Sequence, residues 1–146
     1  MTPVFNSILL KDGCKMDYQK LIGEKTTREQ TVTRELLASW LKSGTVDVFA
    51  TPAMIALMEY TASSLVQPFL DEGITTVGTA VNVTHINPTP EGAVVRAEAE
   101  IIETDGRRFL FKVTAWDQAG LIGEGTHERY AVKRDRLQEN ASARLV

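Results

Sequence analysis

The stretch that decides the fold is Thr51-Pro52-Ala53-Met54-Ile55-Ala56-Leu57-Met58-Glu59-Tyr60-Thr61-Ala62-Ser63-Ser64-Leu65-Val66. Its apolar residues recur every three to four positions, so Met54, Ile55, Leu57, Met58, Thr61, Ala62, Leu65 and Val66 form one broad stripe on a helix. Thr51 reads as an N-cap, with a hydroxyl able to accept from a free backbone N–H of the first turn. Pro52 then takes the first helical position, where a missing N–H costs nothing. Between Pro52 and Leu70 the only formal charge is Glu59, at the edge of the stripe. Its helical neighbours are Ile55, Ala56, Ala62 and Ser63, so no cation on the same helix pairs with it. A lone carboxylate bordering a buried face needs a partner from elsewhere in the fold, or a function.

Upstream of the helix, the weak alternation from Glu24 to Thr33 predicts an edge strand. Glu35 to Lys42 predicts a short helix ended by Ser43-Gly44. Pro68 lies too far along to start a helix, and predicts a kink or a late 3₁₀ turn. After Gly73 the period becomes that of strands. Thr79, Val81, Val83 and His85 share one face, and Asn87-Pro88-Thr89-Pro90-Glu91-Gly92 is a turn by composition. Val95, Ala97, Ala99 and Ile101 alternate with Arg96, Glu98 and Glu100, a half-buried strand with one wet face. Asp105-Gly106 favours a two-residue hairpin turn with positive φ at both positions. Phe109, Phe111, Val113 and Ala115 mark the next strand. Leu121 to Val132 forms the last one, where Gly123 and Gly125 signal a bulge or a close approach by a backbone or ligand. One long apolar helix followed by antiparallel strands is an α+β pattern, with a sheet wrapped around the helix.

The 146 residues fit one domain, and 43% hydrophobic with 24% charged residues is ordinary for a soluble globular chain. The expected organisation is an N-terminal extension over 1–20, the folded domain over 21–133 and a polar, exposed C-terminal tail over 134–146. A net charge of −3, with no dense basic run, argues against nucleic-acid or membrane partners. The single cysteine, Cys14, excludes an intrachain disulfide and fits a reducing compartment. No stretch has the length of a transmembrane span or the pattern of a signal peptide, so a cytoplasmic protein is expected.

Two histidines and one distant cysteine offer no metal-ligand spacing, so neither a metal nor a cofactor is expected. Phosphate-loop and Gly-x-Ser-x-Gly motifs are absent. Glu59 is the strongest chemical signal, against the ordinary explanation of a helix-edge side chain reaching solvent or a distant cation. His85 is either a core histidine bonded to a carbonyl or a general acid/base. Thr51 is explained by capping alone, and as a reactive group needs a base nearby. On one helix Thr51 and Glu59 lie about 12 Å apart in axial rise. Either His85 stands between them or the site draws on two chains. His127 and Arg129 share a strand face, where the ordinary reading is a surface ion pair. As a functional group, Arg129 holds an anionic part of a ligand. Gly78 reads as a strand-start glycine, or as a point where a substrate carbonyl meets a backbone N–H.

At these residues the chain resembles the fluoroacetyl-CoA thioesterase-like branch of the hotdog-fold thioesterases, from roughly Val48 to Val132. The resemblance is carried by Val48-Phe49-Ala50-Thr51, Leu57-Met58-Glu59, Val77-Gly78-Thr79-Ala80, Val83-Thr84-His85 and Gly125-Thr126-His127-Glu128-Arg129. It implies a five-stranded antiparallel sheet around the central helix and a homodimer with a continuous sheet. It further implies hydrolysis of an acyl-CoA substrate at the subunit interface. Thr51, Glu59 and His85 match the catalytic group, and Gly78 and Arg129 the substrate-binding positions. Glu59 then acts as nucleophile or as general base toward water. The chain departs from the fluoroacetyl-specific members at Lys42-Ser43-Gly44-Thr45-Val46-Asp47, which lacks their phenylalanines, so a fluorinated substrate is not implied. A non-catalytic acyl-CoA or small-ligand binding module is the alternative. A hotdog hydratase ranks behind both, because the strand after the helix lacks an Asp-then-His arrangement.

Overall fold

The computed structural model describes residues 18–145. Most of the expected extension over 1–20, Cys14 included, lies outside the described residues. The quoted stretch forms helix α2, Thr51–Val66. Its buried face comprises Ala53, Met54, Leu57, Met58, Thr61, Ala62, Leu65 and Val66, while Ile55 is only half-buried at the margin. Thr61, the one polar residue of that face, donates its hydroxyl to the Leu57 carbonyl at 2.7 Å and so enters the core satisfied. A 3₁₀ turn over Gln67–Phe69 follows at Pro68, as predicted, and Gly73 (φ 82°) turns the chain out of it.

Five strands form one antiparallel sheet: β1 Lys25–Thr31, β2 Ile74–His85, β3 Val94–Thr104, β4 Arg108–Asp117 and β5 Gly120–Lys133, in the order β1-β3-β4-β5-β2. Val95, Ala97, Ala99 and Ile101 of β3 and Phe109, Phe111, Val113 and Ala115 of β4 are fully buried and face α2. The alanines let the helix axis approach β3, and the phenylalanines fill the space beside it. Gly123 and Gly125 of β5 both report close approaches. A Cβ on Gly123 would stand 2.6 Å from the Met54 sulfur, and one on Gly125 would collide with the Asn82 carbonyl of β2. Gly78 is not a strand-start residue: it lies mid-strand, directly before a bulge at Thr79. β1 and β2 are the two edges, and β2 is the longer by five residues (12 against 7), with Thr79 to Asn82 exposed.

Local details differ from expectation at three places. The segment before α2 is a 3₁₀ turn over Arg34–Leu36 and a short helix α1, Ala38–Leu41, and it reverses at Lys42 in the left-handed region (φ 58°) rather than at Gly44. The β3–β4 turn has positive φ at Gly106 only. Asp105 instead accepts from the Arg107 and Arg108 amides through its carboxylate, a side-chain-stabilised turn that competes with the hairpin type expected. Residues after Lys133 are exposed but helical, as α3, Arg134–Ala143. Arg134 N–H bonds the Gly73 carbonyl at 3.0 Å, which anchors the start of that helix to the core.

Candidate active site

The N-terminus of α2 departs from the capping expected of Thr51. The N-cap is Ala50, Thr51 is the first helical residue, and its hydroxyl makes no capping bond. The hydroxyl instead lies 2.7 Å from His85 Nδ1, at the far end of β2. A residue that capping seemed to explain is therefore engaged in a side-chain pair. The edge of the Phe49 ring meets the His85 ring at 6.5 Å between centroids, and burial lowers the His85 pKa, with the Asn87 backbone offsetting part of the shift. The second ring nitrogen, Nε2, is buried and has no hydrogen-bond partner among the described residues.

Two turns along α2 a second cluster forms around Glu59. Its carboxylate stands 3.6 Å from an Arg129 terminal nitrogen, the cation that no helical neighbour supplies. Gly78 pairs with Arg129 across β2 and β5, and it makes this approach possible. A Cβ there would stand 2.9 Å from Glu59 Oε2, 3.1 Å from His127 Cε1 and 3.4 Å from an Arg129 nitrogen. The surface ion pair expected of His127 and Arg129 is thus wrong: both are buried, at 1% and 7% exposure. Arg129 donates through Nε to the Thr76 hydroxyl at 2.8 Å and through a terminal nitrogen to the Thr76 carbonyl at 2.9 Å. Another terminal nitrogen lies 3.1 Å from His127 Nε2. Burial lowers the Arg129 pKa while Glu59 opposes the shift, and the group remains cationic.

Sequence reasoning named Thr51, Glu59, His85, Gly78 and Arg129, and the structure sorts them into two groups. Thr51 and His85 meet at one end of α2; Glu59, Gly78 and Arg129 meet about 12 Å along it. His85 does not stand between them as a hydrogen-bonded bridge among the described residues. His127 and Thr76 were missed as members of the second group. One signal for His127 was available: Gly123, Gly125, His127, Arg129 and Ala131 share a strand parity, and small residues at the other three positions mark that face as covered. No cluster of metal-ligating side chains occurs among the described residues. An open groove of about 610 Å³, lined by Arg34, Leu37, Ser39, Trp40, Asp47 and Glu91, includes none of the five site residues.

A strand order of β1-β3-β4-β5-β2 around one long helix defines a hotdog fold, shared at a TM-score of 0.79 with a hot-dog-like protein from Thermanaerovibrio acidaminovorans. The model of the fluoroacetyl-CoA-specific thioesterase family matches residues 32–135, and the chain belongs to that family. It is 40% identical over 98 residues to the fluoroacetyl-CoA thioesterase of Streptantibioticus cattleyicolor, covering 67% of this chain and 69% of that one. A solved structure of the fluoroacetyl-CoA thioesterase FlK superposes with a TM-score of 0.78 at 34% identity, over 85% of this chain and 95% of that one. A variant of FlK solved with fluoroacetate and CoA superposes at 0.76, with 34% identity over 80% and 98%. A thioesterase superfamily member from Thermus thermophilus superposes at 0.77 with 31% identity, over 85% and 91%. These matches decide for a thioesterase over a non-catalytic binding module. Among the described residues no helix is long and apolar enough to cross a membrane.

Proposed function

We propose that this thioesterase hydrolyses a small acyl-CoA, at a site completed by a second copy of the chain. The observation that carries the reading is the Glu59 carboxylate held beside Arg129 in the space that Gly78 leaves open. Glu59 is partly exposed, at 41% of its side chain, so water reaches it. In the reaction, Glu59 takes a proton from water as the water oxygen attacks the thioester carbonyl carbon. A backbone N–H near Gly78 receives the developing oxyanion. The C–S bond then breaks, and the coenzyme A thiolate recovers the proton from Glu59, leaving a free acid.

Thr51 and His85 orient the thioester through the open His85 Nε2. They are too far from Glu59 of the same chain to act on the same bond, and this supports a dimer. β2 is a free edge carrying Gly78 near its middle and His85 at its end. An antiparallel pairing of β2 with its copy, centred near Val81 and Asn82, brings the His85 end of one strand alongside the Gly78 region of the other. Such pairing also satisfies the unpaired backbone groups of an otherwise hazardous edge. A strict demand for a fluorinated acyl group is not part of this proposal. Residues 42–47 contain no aromatic side chain, and Val46 projects into solvent there.

The test is Glu59→Gln, assayed by release of free thiol from short, branched and substituted acyl-CoA thioesters. The variant keeps the shape of Glu59 and should fold with unchanged thermal stability while losing hydrolysis of every thioester. Turnover equal to that of the unmodified chain would remove Glu59 from the reaction.

A further inference from the structure

The proposed reaction uses Glu59 and Arg129 but leaves unassigned the buried imidazole between β2, β4 and β5. We propose that His127 is a positioning residue: its neutral ring, protonated on Nδ1, locks the Arg129 guanidinium in the orientation that faces Glu59. This rests on Glu59 being the catalytic carboxylate.

The tautomer follows from the partners. A guanidinium only donates, so His127 Nε2, 3.1 Å from an Arg129 terminal nitrogen, must present its lone pair. The proton therefore sits on Nδ1, which donates to the Ala80 carbonyl at 2.8 Å. Both ring nitrogens are occupied, and the Phe111 ring stacks on the imidazole at 6.1 Å with 27° between planes, so the ring has one orientation. On its other side the guanidinium is tied twice to Thr76. Three of its nitrogens are thus anchored within the chain, and the one shared with His127 is also the one 3.6 Å from Glu59. Without the His127 lone pair, that nitrogen is left with only the longer contact to Glu59 at 3.6 Å, and the guanidinium can tilt about its Thr76 bonds. Arg129 accordingly serves as a scaffold for Glu59 more than as a free clamp for a ligand.

The device requires a neutral ring. A proton on Nε2 would put donor against donor and cation beside cation at 3.1 Å. The groups facing His127 are Arg129 and Glu128 on its own strand, Glu59 from α2, Gly78 and the Ala80 carbonyl from β2, and the Phe111 ring from β4. Burial lowers its pKa foremost and Arg129 adds to this, while Ala80, Glu59 and Glu128 oppose; the net direction is down. The neutral form is therefore the working form near neutrality.

Two amides separate the roles of the two ring nitrogens. In His127→Gln the side-chain oxygen reaches the Nε2 position and accepts from Arg129 without titrating. In His127→Asn the amide reaches only the Nδ1 position, so the Ala80 tether survives and Arg129 loses its acceptor. With acetyl-CoA as the probe, His127→Asn should lower kcat by about tenfold or more, through a displaced carboxylate, with KM nearly unchanged. His127→Gln should restore most of kcat and remove one ionisation from the acid limb of the kcat profile. In the unmodified full chain, ¹⁵N long-range correlation spectra of its two histidines should show one ring protonated on Nδ1 alone, absent from both variants. An Nε2-protonated or cationic His127 at neutral pH would overturn the proposal, as would His127→Gln being no better than His127→Asn. If the tautomer is as stated and Glu59→Gln remains active, the catalytic reading fails and the His127–Arg129 lock stands.

Discussion

Gly78→Ala tests the geometry of the site with the smallest perturbation available. The added Cβ would meet Glu59 Oε2 at 2.9 Å, where ordinary contact begins at 3.4 Å, so one of the two must retreat by about half an ångström. His127, 3.1 Å from the same point, is pinned by Ala80 and Arg129 and cannot yield. Glu59 can, because its carboxylate is the far end of a partly exposed side chain. The stability cost is therefore modest: overpacking of about 1–3 kcal/mol is offset by about 0.4–1 kcal/mol from the reduced freedom of the unfolded chain. A net loss near 1 kcal/mol lowers Tm by about 2–4 °C in a domain of this size. Catalysis suffers more, since a misplacement of about 1 Å costs on the order of a hundredfold. Half that displacement should lower kcat by about tenfold or more. The assay is thiol release at saturating acyl-CoA beside a thermal melt, with Gly125→Ala as the contrast. Its Cβ would strike the β2 backbone at Asn82 and Val83, so that variant should lose stability first. A Gly78→Ala enzyme with unimpaired kcat and an intact melt would refute the placement of Glu59 against this strand.

Three further outcomes follow from the same contacts. Thr51→Val removes the hydroxyl that meets His85 but no helix cap, so stability should move by under about 1 kcal/mol while turnover falls; a large Tm loss with normal turnover would restore the capping role. His85 and His127 both have pKa values lowered from 6.5 by burial, so below that value the unfolded chain binds protons that the folded chain refuses. Thermal stability should therefore fall as pH drops through the range just below about 6.5, and melts that are flat there would contradict two buried neutral rings. Val81→Lys places like charges near the proposed two-fold axis on the β2 edge; sedimentation should show a loss of dimer together with a loss of activity, and an active monomer would remove the second copy from the site.

Helix α2 was legible from its own residues because a 3.6-residue apolar period, a proline at the start and a single charge are all local properties. The strand alternations of β3 and β4 were legible for the same reason. Turn detail was less so: Lys42 rather than Gly44 reverses the chain, and at Asp105 a carboxylate bonded to two amides displaced the backbone preference for the hairpin type. The amino-acid sequence by itself determined that Glu59 stands alone on an apolar helix and that any partner must come from elsewhere. Only the tertiary structure decided which partner. Arg129 reaches Glu59 because β5 pairs with β2 in the register that sets Arg129 opposite Gly78, and because that glycine has no side chain to keep them apart. Register is a long-range property, written in no single strand. For the same reason His127 passed for a surface residue until β2 and β4 closed over it, and Thr51 for a cap until the end of β2 brought His85 to its hydroxyl.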